Sequence, residues 1–268
     1  MQRISIVTVT YNCNAIIRET IESVLSQNYV NKEYIIVDGM SSDGTLDIVK
    51  EYNDKLTLIS EKDRGIFDAM NKSLLHITGE YVIFINAGDK FVNNHVLEDI
   101  FYNKVYSADL LYGDHYVQND LGYIFRKAEP IYLNKPTKAD LVYKSQGFCH
   151  QSLFTKSSIL KIIQFNLNYP LGADYDTTAK IYNINNSIEY VGIPISVFDD
   201  RTGGASHNKL IKIMKERAMM FDYRKTLSFY IKVYYWVLVS FVKRLLIIHF
   251  PFIVNKFREK KYSRIITC

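Results

Sequence analysis

The segment Gly79-Glu80-Tyr81-Val82-Ile83-Phe84-Ile85-Asn86-Ala87-Gly88-Asp89 holds an unbroken apolar run, Tyr81 to Ile85, bounded by glycines. A β-branched and aromatic run of this kind predicts a strand buried on both faces of a parallel sheet. The chain leaves it through Asn86, Ala87, Gly88 and Asp89, at the carboxyl end where open α/β sheets bind their ligands. Asp89 offers a hard oxygen donor and Gly88 lets the backbone approach closely, which suits Mg²⁺ or Mn²⁺ shared with phosphates. Asn, Gly and Asp also favour plain turns, so a structural reading stands beside that one.

Towards the amino terminus, Ile4 to Thr10 alternates and opens into Tyr11-Asn12, a first strand ending in a polar loop. Ile17, Ile21, Val24 and Leu25 then keep helical spacing, with Asn14 as a fitting cap. Tyr34 to Val37 is the second strand, and Asp38-Gly39-Met40-Ser41-Ser42-Asp43-Gly44-Thr45 is its exit loop. At such a strand end the Asp38 carboxylate can accept from a ribose hydroxyl or a base imino group, or it can cap a turn. The Gly-rich fingerprint of a dinucleotide fold is missing, because Thr10-Tyr11-Asn12-Cys13-Asn14 contains no glycine. Leu56 to Ile59 reads as a third strand, and a helix starts at Ile66 with Asp68 and Asn71 on one face of its first turns. Arg64, just before it, can clamp a pyrophosphate in bidentate fashion or form a surface pair with Asp63 or Asp68.

With 268 residues, 48% of them hydrophobic, the chain has material for one large α/β domain and an appendage. Its charge of +5 is unevenly placed: residues 201–268 carry 15 basic and 3 acidic side chains, residues 1–200 carry 18 and 25. Cys13, Cys149 and Cys268 are odd in number and lack metal-like spacing, which fits reduced thiols in the cytoplasm. The first residues show no charged-then-apolar leader and are expected to enter a strand almost at once, so secretion is not expected.

Taken together, these segments resemble the GT-A fold glycosyltransferases of family 2. Ile4 to Asn12 is similar to the opening strand and its Tyr-Asn, and Ser41-Ser42-Asp43-Gly44-Thr45 to the tail of the second strand's loop. Asp63-Arg64-Gly65-Ile66-Phe67-Asp68-Ala69-Met70-Asn71 is similar to a donor-side helix in the bacterial surface-polysaccharide branch, and Asn86-Ala87-Gly88-Asp89 falls where the Asp-x-Asp metal motif belongs. The resemblance implies a Rossmann-like α/β fold with a mostly parallel central sheet flanked by helices. It implies a donor subsite that includes Thr10, Tyr11, Asp38, Arg64, Asp68, Asn71, Asn86 and Gly88, and a Mn²⁺ or Mg²⁺ on Asp89. Two departures stand out: Gly39 replaces the acid that often reads uracil, and Asn86 replaces the first acid of the metal motif.

In the following half, Val96 to Phe101 reads as a helix, Asp109 to Val117 as a strand carrying Asp114 towards the cleft, and Tyr116 to Tyr143 as sheet edge and loops. The resemblance places His150 and Gln151 at the acceptor pocket, although His150 fits a core histidine equally. It makes Asp174 the general base of an inverting transfer, while an acid before a helix also has a plain capping role. It brings His207, after Gly203-Gly204, to the metal or diphosphate. Residues 1–207 are thus expected to form the catalytic domain, with a nucleotide-sugar half to residue 100 and an acceptor half beyond. Residues 208–268 are expected to form a basic, amphipathic helical tail. The charge-free run in that tail, Val233 to Val242, is too short to span a bilayer, which needs about 20 residues. A peripheral contact on the inner face of the cell membrane and a helix-mediated homodimer both fit, whereas the interleaved aliphatics argue against nucleic acid. The expected activity is transfer from a nucleotide-diphosphate sugar, UDP-sugar favoured, to a saccharide or lipid-linked acceptor in surface polysaccharide biosynthesis. A catalytically silent sugar-nucleotide-binding subunit is the rival, motivated by Asn86.

Overall fold

The computed structural model describes residues 1–120, 122–201 and 209–249. The first half runs β1 (Ile4–Thr10), α1 (Ile17–Leu25), β2 (Lys32–Asp38), α2 (Thr45–Lys50), β3 (Thr57–Ser60), α3 (Ile66–Ser73), β4 (Tyr81–Phe84), β5 (Lys90–Phe91) and α4 (Val96–Phe101). The second runs β6 (Leu110–Asn119), β7 (Gly122–Arg126), α5 (Lys138–Tyr143), β8 (Leu153–Lys156), α6 (Ser157–Ile163), α7 (Ala173–Asn185) and β9 (Ile188–Asp199), and α8 (Leu210–Met220) and α9 (Leu227–His249) follow. Residues 1–207 and 208–268 cluster as two compact units.

Among the described residues the strands form one sheet in the order β3-β2-β1-β4-β8-β6-β9-β5, with β7 on β6. β3, β2, β1 and β4 are mutually parallel. Beyond β4 the sheet is mixed: β8 is antiparallel to β4 and β6, while β6 and β9 run parallel. Every residue of β1 and β4 is buried, as their continuous apolar runs demand of strands covered on both faces. The register sets Thr10 opposite Asp38 and Asp38 opposite Ser60, so three strands deliver polar residues to one level at their carboxyl ends.

Helix packing fixes that frame. Phe101 of α4 lies against Tyr29, Tyr81, Tyr106 and Phe154, with ring centroids 6.1, 6.0, 5.7 and 5.1 Å away. At the opposite end of the sheet Glu33 accepts from Ser5 Oγ, the Thr78 and Gly79 N–H groups and Thr78 Oγ1. Burial raises the Glu33 carboxyl, but these bonds outweigh it and leave the acid below its ordinary range. The amino ends of the strands are therefore laced shut, and the carboxyl ends carry the loops.

Two expectations of local structure are revised. Asn14 does not cap α1, which begins at Ile17; its amide instead donates to the Asp43 carbonyl at 2.7 Å, drawing together the loops after β1 and β2. The stretch from 116 to 143 contains more regular structure than loops and a sheet edge: β7 forms a hairpin with β6, and α5 opens with a capping box between Thr137 and Asp140.

In the second unit α8 and α9 pack together, with Tyr223 against Phe229 at 6.3 Å and Phe229 and Val233 buried. α9 exposes Ile231, Tyr234, Tyr235, Trp236, Leu238 and Phe241. No helix of the described residues is long and apolar enough to cross a membrane.

Gly147 governs how the chain enters the turn at His150. It has φ +89°, its carbonyl accepts from Glu129 N–H at 2.7 Å, and a Cβ there would lie 1.8 Å from the Glu129 carbonyl oxygen. Gly44 also has positive φ, at +95°, but a Cβ there meets nothing within 4 Å. Gly44→Ala should therefore cost about 1 kcal/mol, from backbone strain alone. Gly147→Ala should cost about 3 kcal/mol or more, because strain and a backbone clash combine. Urea unfolding of both variants tests this, and equal losses would contradict it.

Candidate active site

The loops at the carboxyl ends of β1 and β2 organise one another. Asp38 is fully buried, and its carboxylate accepts from Ser41 N–H at 2.9 Å, Ser41 Oγ at 2.5 Å and Ser60 Oγ at 2.9 Å. Asn12 bonds Ser41 and Ser42, and Asp43 receives Thr45 and Asn14. Asp38 thus secures the floor of the loop with its own oxygens. Thr10 Oγ1, one strand away, is buried without a partner among the described residues. A further carboxylate, that of Asp63, lies beside this floor. Gly65 N–H donates to Asp63 Oδ1, and a Cβ on Gly39 would come within 2.5 Å of Asp63 Oδ2 and 3.3 Å of the Tyr11 ring. Gly39 is thus the small residue that lets Asp63 and exposed Tyr11 face each other over the loop.

On α3, Asp68 accepts from Arg64 N–H at 3.0 Å and from Arg64 Nη2 at 2.8 Å. The guanidinium bond holds the Asp68 carboxyl below the ordinary range despite burial. The Arg64 side chain stays 76% exposed, so it remains within reach of a ligand. Asn71 brackets the backbone of Phe165, donating to its carbonyl and accepting from its N–H, both at 2.8 Å. That bracket seats Phe165 in an aromatic group with Phe67, Phe84 and His150.

After β4 the backbone is pinned from α1: Thr20 Oγ1 donates to the Asp89 carbonyl at 2.8 Å and accepts from Gly88 N–H at 2.9 Å. The Asp89 carboxylate is 4% exposed. Gln151 Nε2 donates to one oxygen at 2.8 Å, and Asp199 N–H to the other at 2.9 Å. Burial pushes this carboxyl up to about 7, against those two bonds, and the charge of Asp199 adds to the rise. Asn86 Oδ1 is buried and has no partner among the described residues. One carboxylate with spare lone pairs and one orphaned amide oxygen are the donor chemistry that a hard divalent cation takes. No group of three or more His, Cys, Asp or Glu is gathered for a metal among the described residues, and His207 lies outside them.

The acceptor-side candidates separate. Gln151, instead of lining an open pocket, joins Cys149 Sγ to Asp89. Asp114 accepts from Ala128 N–H and Tyr190 O–H, both at 2.8 Å, and so braces an irregularity in the β6–β9 pairing. His150 stacks on Phe84 at 5.4 Å, and neither ring nitrogen has a partner among the described residues. Burial lowers its pKa, against the charge of Asp174, so the ring is neutral. Asp174, second residue of α7, is half-buried, and its carboxylate carries no hydrogen bond to a described residue. Asp176 is instead paired to Lys180 Nζ at 2.6 Å. Burial raises the Cys149 thiol, and the charges of both Asp89 and Asp174 raise it further.

Two groups were not singled out from sequence, Thr20 and the pair Asp199–Arg201. Arg201 donates to Asp199 Oδ1 through N–H at 3.0 Å and Nε at 2.9 Å, and to Oδ2 through Nη2 at 2.9 Å. These bonds hold Asp199 below the ordinary carboxylate range, though burial opposes them.

The chain is similar to several known proteins. A PGL/p-HBAD biosynthesis glycosyltransferase of Mycobacterium bovis is 26% identical over 224 residues, covering 81% of this chain and 84% of that one. The Escherichia coli UDP-Glc:alpha-D-GlcNAc-diphosphoundecaprenol beta-1,3-glucosyltransferase WfaP is 31% identical over 122 residues, 45% of this chain and 49% of its own. Among solved structures, Staphylococcus aureus TarS 1-349 superposes with a TM-score of 0.59 at 22% identity, over 81% of this chain; the match spans 65% of the TarS chain, just under two thirds. Glucosyl-3-phosphoglycerate synthase from Mycobacterium tuberculosis, in complex with Mn²⁺, UDP and phosphoglyceric acid, gives 0.59 at 15% identity, over 84% and 80% of the two chains. At these identities the structural likeness carries the fold, which is the expected α/β GT-A arrangement. The sequence profile of glycosyl transferase family 2 matches residues 5–162, more than half of the protein. With its buried acid at the carboxyl end of β4 and the glycosyltransferase fold around it, the chain belongs to glycosyl transferase family 2.

Proposed function

We propose that this glycosyltransferase moves a sugar from a UDP-sugar to a lipid-linked saccharide acceptor in surface polysaccharide assembly, with inversion at the anomeric carbon. The observation that carries the reading is a pair of carboxylates: Asp89, deeply buried after β4, and Asp174, in the first turn of α7 without a hydrogen-bonding partner among the described residues. The name of the E. coli relative, which pairs UDP-Glc with a diphosphoundecaprenol-linked acceptor, supports the donor and acceptor classes.

The nucleoside lies over the floor organised by Asp38, against Tyr11, with Thr10 Oγ1 and Asp63 Oδ2 offering hydrogen bonds. The exposed Arg64 guanidinium, steadied by Asp68, takes a diphosphate oxygen pair. Asp89 and Asn86 would hold Mn²⁺ or Mg²⁺, which supplies positive charge against the departing diphosphate. Asp174 accepts the proton of the acceptor hydroxyl while that oxygen forms the new bond to the anomeric carbon. The bond from that carbon to the diphosphate oxygen breaks, its electrons leave with the nucleoside diphosphate, and Asp174 ends protonated. His150, whose buried ring nitrogens have no partner among the described residues, is our candidate to bond an acceptor hydroxyl. The exposed aromatic and aliphatic face of α9, together with the basic residues of the tail, suits an anionic membrane surface where a lipid-linked acceptor resides.

Asp174→Asn should lower transfer by roughly 10²–10⁴-fold, the usual share of a general base, while UDP binding measured by calorimetry stays as in the wild type. Retained transfer would remove Asp174 from that role, and binding without turnover in the wild type would favour the silent subunit.

Before a cation binds, the folded chain keeps a proton on Asp89 up to about pH 7, whereas the unfolded acid releases it near 3.8. The folded state then binds more protons across that window, so stability falls as pH rises through it and levels off above. Thermal melts in chelator should show this fall, Asp89→Asn should flatten it, and Mn²⁺ should restore stability at pH 8 in the wild type alone. A wild-type profile unaltered by the substitution would count against the assignment.

The full-length protein should float with phosphatidylglycerol vesicles more than with phosphatidylcholine vesicles. Replacing Tyr234, Tyr235 and Trp236 by Ser should weaken that attachment. Equal absence from both vesicle types, with a dimer in sedimentation, would assign the face to a second copy of the chain.

A further inference from the structure

Asp89 has a second carboxylate for a neighbour. Asp199, the last residue of β9, donates its N–H to Asp89 Oδ1 at 2.9 Å. Its own carboxylate faces the backbone of Gly88, where a Cβ would stand 3.6 Å from Asp199 Oδ2. That side chain is 2% exposed. Two buried carboxylates side by side are tolerated when a positive charge lies against them. Here that charge is Arg201, which covers both oxygens of Asp199 with Nε and Nη2 at 2.9 Å each. The guanidinium belongs to a side chain 36% exposed, so it is placed at the edge of the site and not in its depth. Asn86 Oδ1, buried and unpartnered among the described residues, adds a third oxygen from the same loop.

We propose that Asp199 is the second carboxylate ligand of the divalent cation at Asp89, in place of the acid missing at Asn86, and that Arg201 pairs with Asp199 in the cation-free protein. The inference rests on the reading that Asp89 binds a cation. With Asp89 ionised the exchange balances in charge: the two carboxylates neutralise a divalent ion, and the guanidinium leaves Asp199 with its own positive charge. Arg201 is then free beside any anion that the ion carries, and a diphosphate matches its planar donors in bidentate geometry. No covalent bond is made or broken in this step. Coordination by acids from segments 110 residues apart in sequence also explains how one Asp after β4 suffices. Asp89 precedes β5 and Asp199 ends β9, and these two strands pair antiparallel with Lys90 opposite Val197.

Mn²⁺ alone, titrated into the full-length protein without nucleotide and followed by calorimetry and by the EPR signal of the free ion, tests this without any turnover. Asp89→Asn and Asp199→Asn should each weaken Mn²⁺ binding by roughly tenfold or more, beyond the lower end of what outer-shell changes do. Asp200→Asn, at the exposed neighbouring position, should bind as the wild type does. Arg201→Ala should bind Mn²⁺ more tightly, because the competing cation is gone. Its melting temperature should drop in chelator and recover with Mn²⁺, a response that a merely structural ion pair would not give. Should Asp199→Asn fail to fold, the Arg201→Ala titration decides alone, and unchanged or weaker binding there overturns the proposal. Wild-type affinity in Asp199→Asn alongside a loss in Asp89→Asn overturns it while leaving the cation at Asp89. Wild-type affinity in both removes the cation reading itself.

Discussion

The burial of one carboxylate organises this protein. Asp89 is withdrawn from water at the end of the central strand, and such a charge is tolerable only where donors meet it. Those donors come from residues 62 and 110 positions later in the chain, Gln151 and Asp199. Their arrival requires β8 to pair with β4, and β9 to reach the level of β5 on the far side of the sheet. The strand order and the electrostatics of the site are therefore one constraint seen twice.

The acids of the sheet's carboxyl edge divide by what their oxygens do. Asp38, Asp43 and Asp68 are engaged by serines, threonine, backbone N–H groups and Arg64, and they hold loops in shape. Asp63 keeps one oxygen over Gly39, and Asp174 has no hydrogen-bonding partner among the described residues. Glu33 ties β1 and β2 to the Thr78-Gly79 turn at the amino ends of the strands, away from these acids. The engaged acids hold the loops at the carboxyl ends in fixed positions.

Residue type and periodicity made much of this legible. The apolar runs of β1, β2 and β4 identify buried parallel strands because a strand covered on both faces has no polar side to display. The order of the motifs around Asp38, Asp63 to Asn71, and Asp89 identified the family. The same signals were weak where structure is short or cooperative. α5 spans six residues and shows itself mainly through a capping box, and β7 depends on its hairpin partner. Asn14 has cap chemistry, yet a carbonyl brought close by the neighbouring strand competes for its amide and wins.

What the chain determined by itself is the parallel strands β1 to β4 and most of β6, the polar residues at their exits, and the kinds of side chain available there. These follow from local pattern, since a strand's two faces and its exit residue are written in consecutive positions. Which acids are engaged and which stay open was decided only in the tertiary structure. The resemblance places Gln151 at the acceptor pocket, and the structure sets it against Asp89; Asp199 and Arg201 carry no signal in the sequence, and it is β9 that brings the pair beside Gly88. A carboxylate's role depends on the charges and donors within a few ångströms of it, and sequence separation does not encode that distance.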